Sequence, residues 1–182
     1  MDKSESFYRF GISFSKALTD AERKILLSIA RQSIVNAVKH LPTKEIDLAT
    51  LSEPLQAYGA SFVTLFLGRK LRGCIGALFA YQPLALDVQE HAVAAAIEDY
   101  RFPNVSELEI PELDIEISRL TAPVSLTYKS PDDLLNQIRP GVDGVIFRDG
   151  LRRATFLPQV WESLPKKEDF LSHLCQKMGA HP

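Results

Sequence analysis

Residues 60–78 read ASFVTLFLGRKLRGCIGAL, and this stretch decides the fold. Two apolar runs, at 60–67 and 71–78, are separated by Gly68-Arg69-Lys70. A short turn containing glycine between two such runs predicts an antiparallel β-hairpin. The first run is apolar at nearly every position, which predicts a strand that is buried on much of both faces.

The segments on either side of this hairpin predict both helices and further strands. Thr19-Asp20-Ala21-Glu22 is a capping box that opens a helix, and Pro42 stops it. The alternation of Leu113 to Ser118 predicts a half-buried strand, and Asp149-Gly150 predicts a second hairpin. Because the strands come as hairpins and do not alternate regularly with helices, we predict an α+β protein whose sheets are mainly antiparallel and flanked by helices.

Proline positions suggest two subdomains. Thr121-Ala122-Pro123 and Leu164-Pro165 bound a smaller subdomain at 122–164, which leaves 1–121 and 165–182 for the larger one. The larger subdomain begins with an arm, residues 1–15, that holds Phe7, Tyr8, Phe10 and Phe14. We expect these aromatic side chains either to dock on the body of the same chain or to pack on a partner, which would form a homodimer.

Composition excludes several classes of protein. The chain has 182 residues and a formal charge of −2, without the basic stripe of a nucleic-acid-binding protein. It has no signal-peptide pattern and no apolar stretch long enough to span a bilayer, so we expect a cytoplasmic protein. Two distant cysteines imply no disulfide framework, and the His and Cys spacings predict neither a metal site nor a cofactor.

The second strand of the predicted hairpin carries the candidate chemistry. Strand alternation places Arg72, Cys74 and Gly76 on one face, and Leu71, Gly73 and Ile75 on the other. A cation beside a thiol favours the reactive thiolate, and glycine in a strand marks the close approach of a ligand or another backbone. The alternative is that Cys74 is an unreactive cysteine packed in the core.

The motif and its neighbours resemble the AMMECR family, whose domain is also found as protein A of the AmmeMemoRadiSam system. The resemblance covers the chain after its N-terminal arm and rests on several blocks in the same order. These blocks are LRGCIG at 71–76, Asp99 with Arg101-Phe102-Pro103, LDIEIS at 113–118, RPGVDG at 139–144, TFLPQVW at 155–161 and FLSHLC at 170–175.

The resemblance implies two lobes around a cleft that the LRGCIG motif faces, with both termini in the larger lobe. It also implies an association with Memo-like and radical-SAM proteins in a modification pathway. The family continues past its last helix into a final strand, whereas this sequence ends at His181-Pro182. We therefore expect that one edge of the main sheet is missing or comes from another chain.

Two functions follow from these expectations. In the first, the cleft binds a peptide, a protein segment or a small anionic ligand. Arg72 and Arg101 would pair with its negative charge, and Leu71, Gly73, Ile75 and Gly76 would line the site. The alternative for Arg101 is a structural ion pair with Asp99 or Glu116.

In the second, the protein is an enzyme in which Cys74 is the nucleophile. Glu116, on the polar face of a nearby strand, or His173 would act as the base. The patterns of the sequence do not decide whether there is catalysis.

Overall fold

The computed structural model describes residues 5–11 and 18–179. Within these ranges the helices are α1 (Asp20–Val38), α2 (Glu53–Gln56), α3 (Leu84–Ile97), α4 (Pro131–Gln137) and α5 (Lys167–Met178). The strands are β1 (Glu5–Gly11), β2 (Tyr58–Leu67), β3 (Lys70–Gly76), β4 (Gln82–Pro83), β5 (Leu113–Leu120), β6 (Val124–Leu126), β7 (Asp143–Asp149) and β8 (Arg152–Phe156). The strand pairs that they form are antiparallel. The α+β prediction is confirmed.

The chain folds into two compact units. Ser13–Leu120 form one, which we call the inserted unit, and Met1–Ile12 with Thr121–Pro182 form the other, the terminal unit. This division differs from the expected one, because β1 pairs with β6 and β7 and α5 packs on β8. The first strand and the last helix therefore belong with the segment at 122–164, in the unit with fewer residues.

Two hydrogen bonds join the end of β1 to Thr121 within the terminal unit. The N–H of Thr121 donates to the carbonyl oxygen of Gly11 at 2.8 Å, and the N–H of Gly11 donates to Thr121 Oγ1 at 2.7 Å. Gly11 and Thr121, which flank residues 12–120 in the sequence, are thus adjacent within the terminal unit.

The inserted unit is built on the hairpin that the sequence predicts. β2 pairs with β3 along one edge and with β5 along the other, and β4 adds a short pairing at Tyr58 and Gly59. α1 and α3 pack against each other, and α3 packs on the sheet. The predicted capping box is confirmed, with Thr19 and Glu22 exchanging bonds of 2.7 and 3.2 Å at the start of α1.

One face of β2 supplies the centre of this unit's core. Val63 and Leu65 are fully buried among Leu26, Ile34 and Val88 of the two helices. Each such side chain contributes about 1.5–3 kcal/mol when it leaves water. The other face of β2, formed by Phe62, Thr64 and Phe66, is only half-buried. The predicted burial of β2 is therefore complete on one face and partial on the other.

The terminal unit has a four-stranded sheet in the order β6-β1-β7-β8. Its core gathers Phe7 of β1, Phe147 of β7, Trp161 and Phe170. The rings of Phe7 and Phe147 stack at 4.2 Å between centroids, and those of Trp161 and Phe170 stack at 3.8 Å.

The expected N-terminal arm is instead an interior strand. β1 is paired on both edges within its own chain, and Phe7 and Phe10 are only 6% and 2% exposed. The alternative in which the aromatic side chains dock on their own body is therefore correct for Phe7 and Phe10. Phe14, His181 and Pro182 lie outside the described residues, and homodimer formation stays a prediction.

Candidate functional site

The LRGCIG motif forms most of β3, on the edge of the inserted unit's sheet. Gly73 pairs with the buried Leu65 and Ile75 pairs with the buried Val63, so both lie on the face that the helices cover. Cys74 pairs with Thr64 between them, on the opposite face. Cys74 is half-buried rather than fully enclosed, and it does not belong to the hydrophobic core.

Gly73 lets α3 approach the sheet at the motif. A Cβ atom added to Gly73 would overlap the carbonyl oxygen of Ala95, and one on Gly76 would overlap the backbone of Ser61 and the ring of Phe62. The expectation of a close backbone approach is correct at both positions. These two glycines therefore fix the place of the strand and leave no open space there for a ligand.

Cys74 is held by side chain and backbone together. Thr64 Oγ1 lies 3.3 Å from Cys74 Sγ, and the backbone N–H of Cys74 donates to Asp99 Oδ2 at 2.8 Å. The carbonyl oxygen of Cys74 accepts from Arg101 Nη2 at 3.1 Å. An edge strand exposes N–H and C=O groups that need partners, and here Asp99 and Arg101 supply them. The backbone of the thiol-bearing residue is thus fixed in position.

Asp99 and Arg101 form an ion pair directly after α3. The Asp99 side chain is only 2% exposed, and its oxygens accept from Arg101 Nη2 at 2.6 Å and from Arg101 Nε at 2.8 Å. The hydrogen bond from Arg101, helped by the Cys74 N–H, lowers the pKa of Asp99 to about 2 despite its burial. The structure therefore shows the ion-pair alternative for Arg101, with Asp99 as the partner.

Arg101 also interacts electrostatically with Cys74. Its pKa is raised first by the hydrogen bond to Asp99, then by the charges of Asp99, Cys74 and Tyr100. The Arg101 side chain is 46% exposed, so solvent screens these effects.

Arg72 does not share a face with Cys74 as expected. The pairing of β2 with β3 shifts between Leu65 and Phe66, so that Arg72 is an extra, unpaired residue in a β-bulge. The bulge directs its guanidinium to Glu109, with Nε 2.7 Å from Oε1 and Nη2 3.2 Å from Oε2. Two further bonds go to the carbonyl oxygens of Pro103 and Asn104.

The hydrogen bond from Arg72 lowers the pKa of Glu109 to about 2. Its guanidinium, in a side chain only 13% exposed, is thus already neutralised and tied to the segment after α3. A role for Arg72 in binding an anion stays a prediction, and it would require this ion pair to open.

Glu116 lies in the same row of the sheet as Cys74. Thr64 of β2 pairs with Cys74 on one side and with Glu116 of β5 on the other. Two strand spacings separate the backbones of Cys74 and Glu116 by roughly 10 Å. Glu116 is exposed, and Ser118 Oγ donates to its Oε1 at 3.4 Å. A proton could pass between Cys74 and Glu116 only through Thr64, water or a substrate.

His173 lies in the terminal unit, exposed on α5. Its Nδ1 is 2.8 Å from the backbone carbonyl oxygen of Asp169. Its role as a base stays a prediction. Cys175, on the same helix, packs against the terminal unit's core, and burial raises the pKa of its thiol.

Thr64 and Glu109 are parts of this arrangement that sequence reasoning missed. Counting back from the turn places Thr64 opposite Gly73, and only the bulge brings it opposite Cys74. No sequence pattern predicts the pairing of Glu109 with Arg72, because it depends on the path of the loop after α3.

No metal centre or membrane segment emerges among residues 5–11 and 18–179. Within these ranges the His, Cys, Asp and Glu side chains form no group of three or more able to hold a metal ion. The same part of the chain has no helix with the length and apolar character that crossing a membrane requires.

These features define an α+β protein with two antiparallel sheets and a cysteine motif on an edge strand. The chain belongs to the AMMECR1 family, whose sequence model matches residues 27–182. The family consists of proteins without an assigned activity.

Archaeal relatives cover nearly the whole chain. A protein of Methanothermobacter thermautotrophicus is 37% identical over 91% of this chain and 86% of its own length. A protein of Methanocaldococcus jannaschii is 34% identical over 92% of this chain and 83% of its own. The crystal structure of an uncharacterised protein from Pyrococcus horikoshii has a TM-score of 0.80 at 32% identity, covering 91% of this chain and 83% of that one.

Proposed function

We propose that Cys74 is a nucleophilic thiol that takes an acyl group from its substrate. The sulfur adds to the carbonyl carbon, the bond from that carbon to the leaving group breaks, and the proton of the thiol departs with the leaving group, so that the acyl group remains on Cys74 as a thioester. The observation that carries this proposal is the position of Cys74 on the face away from the core, with Thr64 Oγ1 3.3 Å from its sulfur. A hydroxyl that donates to sulfur stabilises the negative charge that develops there. A cysteine that served only packing would need neither this donor nor partial exposure.

Asp99 and Arg101 support the proposal as positioning residues. They hold the backbone on both sides of the sulfur, which restricts where the thiol can point. Glu116 is the proposed proton acceptor, acting through water or through the substrate because the two side chains are two strands apart.

The neighbouring side chains favour a substrate with an apolar part. Phe62 and Phe66 flank Thr64 on the face of β2 that carries the site, and Leu71 of β3 is 41% exposed. Simple anion binding has less support, because Arg72 and Arg101 are both paired with carboxylates. Binding of an apolar peptide segment next to the thiol is compatible with the covalent proposal.

The test is acylation of the native protein by p-nitrophenyl acetate, followed by intact mass and peptide mapping. A Cys175→Ala background leaves Cys74 as the only thiol. We expect one acetyl group on Cys74 in the native protein, and none in a Cys74→Ser, Cys175→Ala control. A thiol that reacts only after denaturation would overturn the proposal and identify Cys74 as a packing residue.

Family membership supports a second, separate proposal about partners. We propose that the protein works with Memo-like and radical-SAM proteins on a shared substrate. Co-purification of the tagged full chain with such proteins from the same cell would support this, and their absence under mild, reducing conditions would count against it.

A further inference from the structure

A buried polar cluster in the inserted unit takes no part in the proposed thiol chemistry. Asp87 of α3 is fully buried, and its Oδ2 accepts from Ser61 Oγ of β2 at 2.6 Å. The same Oδ2 lies 3.2 Å from Nδ1 of His91, one turn further along the helix. His91 is itself only 5% exposed. The cluster therefore places a carboxylate and an imidazole side by side in the interior of the inserted unit.

This cluster is incompletely satisfied. Within the described residues, Asp87 Oδ1 has no hydrogen-bond partner, and His91 Nδ1 makes no bond of good geometry to Asp87. Native proteins leave few buried polar atoms unpaired, because each costs about 1–3 kcal/mol. Apolar residues at these two positions would avoid that cost, which indicates that Asp87 and His91 have a role besides packing.

His91 forms part of the wall of a pocket of about 540 Å³ that lies wholly within the inserted unit. Glu90 and Glu98 bring two carboxylates to the same wall, and no lysine or arginine lines it. Leu86 and Val93 supply an apolar side. The pocket thus combines negative charge with a small hydrophobic surface.

Tyr81 lies beside His91, with the two rings edge to face. Its hydroxyl lies 3.5 Å from His91 Nε2, at the outer limit of a hydrogen bond. Partial burial raises the pKa of Tyr81 to about 12, and a hydrogen bond to Glu90 with the charges of Glu90 and Asp87 add to that rise. The carboxylate beside Nδ1 favours the tautomer protonated there, which leaves Nε2 as an acceptor with one weak donor.

We propose that this pocket binds a small organic amine with a short apolar body. The ammonium group pairs with Glu90 and donates to His91 Nε2 in place of the long contact with Tyr81. Glu98 adds negative charge about two turns further along α3, and the hydrocarbon part contacts Leu86 and Val93. Asp87, which accepts from Ser61, lies beside Nδ1, so Nε2 is the ring nitrogen left for the amine. The site is separate from Cys74, and the proposal does not depend on the thiol chemistry.

The test is an NMR titration of the full chain with n-butylammonium chloride at constant ionic strength, following the ring signals of its four histidines. The His91 signal is assigned by its loss in His91→Gln or, if that variant does not fold, by its nuclear Overhauser contacts to Tyr81. We expect a saturable shift of the His91 signal, and none with 1-butanol or sodium butyrate at the same concentrations.

A Glu90→Gln, Glu98→Gln double variant tests the recognition of charge. We expect it to weaken butylammonium binding by roughly fivefold or more, whereas Glu112→Gln, an exposed position of the same unit, leaves it unchanged. The proposal is overturned if butylammonium produces no saturable shift, if butanol produces the same shift, or if the double variant binds equally well.

Discussion

At the scale of single residues, the site depends on which groups touch Cys74. The cation expected beside the thiol, Arg72, is paired with Glu109, and the contacts with Cys74 come from Thr64, Asp99 and Arg101. Only Thr64 reaches the sulfur itself, while the other two hold the backbone. Reactivity and positioning are therefore separable by mutation.

Thr64→Val should slow the reaction of Cys74 with iodoacetamide by roughly fivefold to tenfold at neutral pH. The substitution keeps the shape of the side chain and removes a hydrogen bond of about 1–1.5 kcal/mol to the sulfur. The rate is measured by mass spectrometry in the Cys175→Ala background. Thr155→Val, on the terminal unit's sheet, is the matched control, and equal rates in both variants would show that Thr64 has no effect on the thiol.

Asp99 predicts a pH dependence of stability with a definite sign. Its pKa falls from an ordinary value of 3.8 to about 2, so its ion pair stabilises the fold above pH 3.8, and this contribution is lost as the pH falls towards 2. Because Arg101 is half exposed, we expect no more than about 2 kcal/mol.

The measurement is the free energy of unfolding of the native protein and of Asp99→Asn between pH 2 and pH 6. The two values should converge at the acid end and separate above pH 4. Asp114→Asn, an exposed carboxylate of β5, should show little separation at any pH. A constant difference between native protein and Asp99→Asn across the range would contradict the assigned ion pair.

At the scale of elements, the β3 strand is placed by two irregular features. The bulge at Arg72 changes which residue of β3 lies opposite Thr64, and Gly73 lets α3 pack directly on the strand. Neither feature changes the apolar pattern of the hairpin. A regular hairpin with the same sequence would place Gly73, and not Cys74, opposite Thr64.

Gly73→Ala should destabilise the inserted unit by about 2–3 kcal/mol or more. The new methyl group meets the backbone carbonyl of Ala95, which cannot move without shifting α3. Denaturant unfolding measures the loss. Gly68→Asn in the turn of the same hairpin is the control. Its φ of 61° is one that asparagine tolerates, and a Cβ there meets no other atom within 4 Å. Similar stabilities for the two variants would disprove the close-approach argument.

At the scale of the whole molecule, the two units differ in how the chain builds them. The inserted unit is continuous in sequence, whereas the terminal unit joins β1 to segments more than 100 residues away. β1 has neighbours on both sides, so the sheet order β6-β1-β7-β8 depends on it. The terminal unit cannot complete its sheet until β1 has paired with β6 and β7.

Phe7→Ala should destabilise the terminal unit by about 3–5 kcal/mol, because Phe7 is buried against Phe147 and Tyr128. Trp161 is the only tryptophan and lies in the same core, so its fluorescence reports the unfolding of this unit. Tyr8→Ala, at a half-buried neighbouring position, should cost less. An unchanged Trp161 transition in Phe7→Ala would show that β1 is not required for that core.

The sequence by itself determined the local elements and the class of fold. Three local features predicted them: the apolar alternation, the capping box at Thr19 and the turn at Gly68. Each acts over a few residues, so it can be recognised in the sequence without knowledge of tertiary contacts. The same local information identified the LRGCIG segment as a strand and drew attention to Cys74, and the ordered blocks indicated the family.

Only the tertiary structure decided where the first strand belongs and which side chains surround the thiol. A short segment rich in aromatic residues is compatible with an arm as well as with a strand inside a sheet, and the partners of β1 lie more than 100 residues away. A single bulged residue reverses the alternation of faces, and this turns Arg72 away from Cys74 and brings Thr64 to it. These outcomes depend on the free energy of packing between segments that are distant in the sequence, and a local sequence pattern does not report that free energy.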